Sequence, residues 1–391
     1  MGSFHLQTEE NLTSEAKEQL VSDNCNVFVS FKTKIEWGII DYFHYLANMN
    51  LKSGLHKASF QKQEAEKKVR CLLCPHICLL QEGELGKCRA RKNVDGTLYS
   101  LSYEKLCSMA IDPIEKKPLF HFFPGTPILS LSTAGCNFHC LHCQNSHISQ
   151  VRPDAIPYRE LSPKEVIAIT LSHSCQLIAF TYTEPTIYYE YMFDIARLAY
   201  QKGIKTVMIT NGYINRDPLL ELIPFIDAMN IDLKFFDNNL YRNTTTGSLN
   251  PVLRTLKTVK ESGVWLEITN LVIPSRNDSP EAIEEMCHWL ATNGFTDTPL
   301  HFSRFYPTYK LTDTPPTPVK TLLKAKEIAL QQGIQYVYLG NVTHSKDEDS
   351  HCHNCHALLI ERDNYAIREY LLDNGKCPDC GTEIPGRWHN D

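Results

Sequence analysis

Eleven of the fifteen cysteines in this 391-residue chain fall into three tight groups, Cys71/Cys74/Cys78/Cys88, Cys136/Cys140/Cys143 and Cys352/Cys355/Cys377/Cys380, while Cys25, Cys107, Cys175 and Cys287 stand alone. Grouped thiols require loops that converge, either on disulfides or on metal. A secreted disulfide framework is normally a short chain behind a signal peptide. Residues 1–30 instead carry Glu9, Glu10, Glu15 and Glu18 and no apolar core segment. Metal or cluster binding in a reducing, cytoplasmic setting is therefore the expectation. No apolar run approaches the ~20 residues that span a bilayer. A net charge of −6, from 39 Lys+Arg against 45 Asp+Glu, argues against a nucleic-acid partner or an anionic-membrane surface. With 42% hydrophobic residues the chain has material for a large core, and its length suggests two or three folded units.

The chain changes texture along its length. Ile35, Ile39, Phe43 and Leu46 recur as on one face of a helix, within an N-terminal extension over 1–68 that ends in a charged linker, Gln61 to Arg70. A Cys-rich module follows over 69–110. From 120 to 343 short β-rich runs alternate with helix-length segments, the strand candidates being Ile128 to Thr133, Leu177 to Thr183, Lys205 to Thr210, Met229 to Lys234, Trp265 to Val272, Leu300 to Phe305 and Tyr336 to Gly340. Several are apolar without alternation, as strands buried on both faces of a parallel sheet are. Ser162-Pro163-Lys164-Glu165 combines a capping box with proline at the first helical position, and Asn250-Pro251, Ser279-Pro280 and Thr317-Pro318 repeat the cap-proline pairing. Gly203, Gly263, Gly294 and Gly333 suit left-handed helix ends. The fold class expected is α/β, a parallel sheet closed or partly closed into a barrel with active-site residues at the C-terminal strand ends. A linker, His344 to Ser350, then leads to a small C-terminal module over 350–388.

The central motif, Gly135-Cys136-Asn137-Phe138-His139-Cys140-Leu141-His142-Cys143, places three thiols at C-x3-C-x2-C on the loop after the first barrel strand. Such thiolates can converge on three irons of a four-iron cluster and leave the fourth iron without a protein ligand. An electron-transfer ferredoxin site supplies a fourth cysteine, whereas the next one here is Cys175, on an expected helix end. The competing reading is structural zinc closed by His139, His142 or His147. In the C-terminal module, two C-x2-C pairs, Cys352/Cys355 and Cys377/Cys380, match a zinc ribbon, with rubredoxin-type iron as the alternative. The set Cys71/Cys74/Cys78/Cys88 is compact enough for zinc or an iron-sulfur cluster, and simple cysteine packing is the bland alternative.

On these residues the sequence resembles the radical S-adenosylmethionine (SAM) superfamily, whose hallmark is C-x3-C-x2-C on the loop after strand one of a partial (β/α)6 TIM-like barrel. Thr181-Tyr182-Thr183-Glu184-Pro185-Thr186 lies where that superfamily places its segment for the SAM amino group, although usually as Gly-Gly-Glu. Thr210-Asn211-Gly212, Asp232-Leu233-Lys234 and Leu271-Val272-Ile273-Pro274 resemble strand-end segments of glycyl-radical-enzyme activases. A narrower resemblance is to the AmmeMemoRadiSam-system radical SAM enzymes, related to pyruvate formate-lyase activating enzymes. It is carried by Cys71-Leu72-Leu73-Cys74-Pro75, by Glu82 to Cys88, by Asp112 to Phe122, by Val272-Ile273-Pro274 and by Ser303-Arg304-Phe305, and covers about Val69 to Trp388. The resemblance implies a 4Fe-4S cluster on Cys136, Cys140 and Cys143, SAM on its open iron, and SAM contacts from Thr183, Glu184, Asn211 and Val272. It implies reductive cleavage of SAM to a 5'-deoxyadenosyl radical for hydrogen abstraction from a small-molecule or protein substrate, fed by a low-potential donor of flavodoxin or ferredoxin type.

Asp232 and Lys234 share one strand face, for substrate or SAM-carboxylate contact or as a barrel-interior ion pair. Arg304 is a candidate anion contact. Asp112 to Phe122 is a candidate lid, or a cover for the barrel's open edge, and His173, His288 and His301 are expected as packed or surface residues. Beside the radical enzyme with an unidentified substrate stand a glycyl-radical-enzyme activase, an RNA-modifying radical enzyme and a non-catalytic iron-sulfur or zinc scaffold.

Overall fold

Runs such as Val207-Met208-Ile209 and Ile178-Ala179-Phe180 become the middle of a parallel sheet because both of their faces must be covered. A computed structural model describes residues 55–342 and 346–389; the helix expected around Ile35 to Leu46 lies outside the described residues. The sheet has eight strands: β1 (Ser108–Pro113), β2 (Pro127–Ser132), β3 (Leu177–Phe180), β4 (Lys205–Thr210), β5 (Ala228–Asp232), β6 (Trp265–Val272), β7 (Leu300–Arg304) and β8 (Val337–Gly340). They lie in chain order, β2 to β8 parallel and β1 antiparallel to β2 at the edge. Among the described residues, pairing runs from β1 to β8 without closing, which makes the barrel partial. Helices Pro163–Ser172, Tyr189–Gln201, Arg216–Leu222, Leu249–Ser262, Pro280–Thr292 and Val319–Gln331 fall between the parallel strands.

The local start signals hold where tertiary bonds do not compete. Ser162 forms its capping box with Glu165 and Ser279 caps at the Ala282 amide, and the four glycines named above all sit at positive φ. Two differ. Helix Leu249–Ser262 starts at Ser248, ahead of Asn250-Pro251. Thr317 does not cap the last helix, because its hydroxyl donates to the Val272 carbonyl and accepts the Phe305 amide, tying the loop after β7 to the end of β6.

The Cys-rich module is built from short antiparallel strands that start at His56. Gln61–Gln63 pairs with Val69–Cys71, so the expected linker over 61–70 is a hairpin, and the strand pairing carries the module ahead of residue 69. The segment after β1 is neither a lid nor an edge cover. Residues 114–122 pass beneath the strand starts: Ile114, Leu119 and Phe122 pack on Ile128, Leu177, Val207 and Ala228, Asn230 Nδ2 donates to the Pro118 carbonyl, and Glu267 accepts from the Phe120 and His121 amides. They close the bottom of the barrel. Nor is the approach to the C-terminal module a solvated linker. Glu348, Asp349 and Ser350 are buried around the Arg362 guanidinium, which donates to the Glu348 and Phe120 carbonyls. Cys352, Leu359, Ile360 and Cys377 share one core with Phe120, Tyr336 and Tyr338 of the barrel.

Candidate radical SAM active site

The motif loop leaves β2 through Gly135, held at φ 105°, where a Cβ would come within 2.7 Å of the Cys88 carbonyl; only glycine fits. Phe138 anchors the loop, fully buried against Tyr213 and Tyr241, with Gly247 so near that a Cβ there would lie 2.3 Å from the ring. The His139 and Leu141 amides donate to the carbonyls of Thr245 and Thr244. These restraints turn Cys136, Cys140 and Cys143 into one cavity of about 580 Å³ inside the barrel.

Thr183, Glu184, Asn211, Asp232 and Lys234 line the same cavity, with Lys117 and Phe120 of the plug also in its wall. The Glu184 carboxylate ties the end of β3 to the end of β4: Oε1 accepts from the Thr186 amide and the Thr186 and Thr210 hydroxyls, Oε2 from the Asn211 amide alone. Burial pushes its pKa up against those donors, so a cation at Oε2 would meet a carboxylate short of solvation. The Asn211 side chain donates to Asn137 Oδ1 and accepts the Tyr213 amide, so it positions the cysteine loop while its backbone holds Glu184. Thr183 Oγ1 donates to the Thr133 carbonyl. Lys234 Nζ lies 2.9 Å from Asp232 Oδ2. Burial would lower the ammonium, but the Asp232 carboxylate and the Cys140 sulfur outweigh it and hold the pKa above its ordinary value.

Two expected contacts do not reach the cavity. Val272 is fully buried with its carbonyl on Thr317 and is absent from the lining. Arg304 turns aside to the Thr317 carbonyl and the Tyr306 hydroxyl. His301 and Tyr182 line the cavity as well. His301 is buried with Nε2 2.6 Å from Glu267 Oε2. Tyr182 is held at φ 63°, its hydroxyl donating to Asp112 Oδ2 and its carbonyl accepting from Asn145 Nδ2; a bulky residue in the left-handed region is strained, and the neighbouring bonds hold it there. Asp112 also receives Lys117 at 2.6 Å, a pairing that outweighs burial and keeps its carboxyl far below the usual range.

Glu348 lines the cavity too, and burial raises its pKa to about 7. A carboxyl whose folded pKa exceeds its ordinary 4.5 stabilises most fully below the ordinary value, and that stability is lost as pH rises through the folded one. Glu348→Gln is therefore expected to be more stable than the parent at about pH 8, on the order of 2–3 kcal/mol, and equal to it near pH 4.5. Urea unfolding of both proteins at the two pH values checks this; a constant difference would remove Glu348 as its source.

The donor set fits a thiophilic cluster. Cys140 is raised to about 12 by burial, and Cys136 well above its ordinary value by burial and by the neighbouring Cys140 and Glu184, so the thiols stay protonated until metal takes them as thiolates. Between them His142 is buried with no partner for either ring nitrogen among the described residues, and burial lowers it to about 3. His139 is turned away, its Nε2 3.0 Å from the Lys87 carbonyl. At the C-terminus, Cys352, Cys355, Cys377 and Cys380 bring four sulfurs within 4.8 Å of one another.

The family model of the Radical SAM superfamily matches residues 130–290. Uncharacterized protein MJ0808 of Methanocaldococcus jannaschii is 48% identical over 332 residues, covering 84% of this chain and 99% of that protein. The chain belongs to the radical SAM superfamily. It is similar also to the pyruvate formate-lyase-activating enzyme of Clostridium pasteurianum, 25% identical over 160 residues, 39% of this chain and 65% of that one. The pyruvate formate-lyase 1-activating enzyme of Escherichia coli (strain K12) is 22% identical over 227 residues, 52% of this chain and 89% of that one. The protein is thus an enzyme of the radical SAM class, a family that implies a 4Fe-4S cluster and SAM. No helix among the described residues is long and apolar enough to cross a membrane.

Proposed function

We propose that this radical SAM enzyme holds a 4Fe-4S cluster on Cys136, Cys140 and Cys143 with SAM at the open iron, and abstracts hydrogen from a compact substrate in the barrel cavity. The observation that carries this reading is the single cavity shared by the three thiols, Glu184 and the Asp232–Lys234 pair. When bound, the cluster and SAM supply one-electron cleavage of the sulfonium to methionine and a 5'-deoxyadenosyl radical, the electron coming from a low-potential donor. The chain's own residues orient and enclose. Glu184 Oε2 offers an acceptor to the SAM ammonium, the Thr183 strand end borders it, and Asn211 holds both Glu184 and the cysteine loop in place. Lys234, kept charged by Asp232, sits where a carboxylate or another anionic group would be drawn. Residues 114–122 exclude water from below, as a radical intermediate requires.

The cavity of about 580 Å³ is of the size of a small-molecule site, and the cluster and SAM would occupy much of it. The activating-enzyme relatives favour the second reading, a glycine-bearing protein segment entering the barrel mouth. For the C-terminal cysteines the reading is a structural zinc. A tetrahedral zinc with bonds of about 2.3 Å sets its sulfurs roughly 3.8 Å apart, and the pairs Cys352/Cys380 and Cys355/Cys377 stand at 3.7 and 3.6 Å. The test of function is label transfer: anaerobically reconstituted enzyme, given SAM, a strong reductant and a deuterated substrate candidate, is expected to release 5'-deoxyadenosine carrying deuterium. No 5'-deoxyadenosine from protein with a verified four-iron cluster and bound SAM would reject the reading.

A further inference from the structure

Cys71, Cys74, Cys78 and Cys88 line one cavity where the N-terminal module meets the barrel loops at Asn137, Thr186 and Ile187. Two observations say what it takes. First, among the described residues one group of metal-ligating side chains closes to within 4.8 Å, and it is the C-terminal one. The four N-terminal sulfurs face a common space without contracting to the roughly 3.8 Å separations of a single tetrahedral zinc. Cys136, Cys140 and Cys143 share this wider spacing, so the chain contains one set sized for an ion and two sized for something larger. Second, the wall offers a buried donor without an acceptor. Arg91 lines the cavity at 1% exposure, and its Nε–H has no acceptor among the described residues, although the other two guanidinium nitrogens are used by Glu190 and the Ser59 carbonyl. A buried donor left over beside four thiols calls for an anionic occupant.

We infer that Cys71, Cys74, Cys78 and Cys88 ligate a second iron-sulfur cluster, anionic through its four thiolates and balanced in part by Arg91. The site abuts the radical site: the Cys88 carbonyl packs on Gly135, next to the ligand Cys136, and Asn137 borders the N-terminal cavity while bonding Asn211 of the SAM wall.

The test separates this cluster from the one in the barrel. A variant carrying Cys136→Ala, Cys140→Ala and Cys143→Ala is reconstituted anaerobically with iron and sulfide, and iron, acid-labile sulfide and zinc are counted per chain. It is expected to retain ~2–4 irons with equal sulfide, and to show a paramagnetic signal on one-electron reduction. Cys78→Ser on the unaltered barrel is expected to lose that share of iron and keep the rest, which covers the case of a triple variant that does not fold. Zinc at the N-terminal site, or a triple variant with neither iron nor sulfide, would overturn the inference. Equal iron in the parent and a folded triple variant would reject the barrel cluster instead, so the two readings fail separately.

Discussion

Cys140→Ala is expected to bring 5'-deoxyadenosine formation to the level of a protein-free blank, with circular dichroism and thermal unfolding of the metal-free protein nearly unchanged. Cys140 would be the middle ligand of the three and is buried, so its loss would leave two thiols on one loop, too few to hold a cluster with one open iron. Loop geometry survives, because Phe138 and the Thr244 and Thr245 carbonyls hold it independently of metal. The contrast is Cys380→Ala. There the sulfur belongs to the four-cysteine set whose zinc would contribute folding free energy, and whose core is continuous with Tyr336, Tyr338 and Phe120. That variant is expected to melt lower and lose zinc, yet to cleave SAM at a rate per folded chain much nearer the parent's. Mass spectrometry of the product, with iron and zinc counted in the same samples, decides the matter. Equal loss of iron in both variants would contradict the division of labour between the two sets.

What could be read from the chain beforehand follows physical lines. Lys205–Thr210 and Trp265–Val272 are legible to the residue, the first because two-sided burial leaves the apolar run Val207-Met208-Ile209 and the second because its aromatic and β-branched residues outweigh the buried Glu267 and Asn270 within it. Ser108–Pro113 is not: an edge strand with Ile111 exposed and Asp112 buried has neither alternation nor continuity. The plug is hidden for a related reason, since Glu115 and Lys117 are buried along with Ile114 and Leu119, Lys117 against Asp112 and Glu115 against the Gly125 amide, and buried charges break an apolar pattern that only tertiary contacts complete. At the site, the cysteines announce themselves because a ligand loop is local and its spacing encodes geometry. Glu267 and His301 are 34 residues apart and meet through the pairing of β6 with β7. Val272 differs: it is a strand-end position whose side chain is buried in the core and absent from the cavity lining.

Glu190→Ala is expected to cost ~3–5 kcal/mol, the range for stranding one member of a buried ion pair. Glu190 sits in the first turn of Tyr189–Gln201, a barrel helix, and Arg91 in a strand of the cysteine module; both side chains are nearly sealed from solvent, at 4% and 1% exposure. Oε1 receives Arg91 at 2.5 Å and the Ser59 amide at 2.7 Å, so one carboxylate fastens a strand and a bend of the module to the barrel. Burial would drive the guanidinium toward neutrality, but Glu190, and after it the sulfurs of Cys71 and Cys88, keep its pKa raised. Alanine removes the main counter-charge and leaves a cation that can be solvated only by opening the seam between module and barrel. The loss should therefore be regional: urea unfolding shifts, and amide exchange quickens in residues 56–100 and in the first turn of the helix before it does in β4 to β6. Glu190→Gln keeps an acceptor for Ser59 but not the charge, and should fall between parent and alanine. A cost below about 1 kcal/mol for alanine, the value of an exposed pair, would mean that water already reaches Arg91 and that the module is not sealed to the barrel at this point.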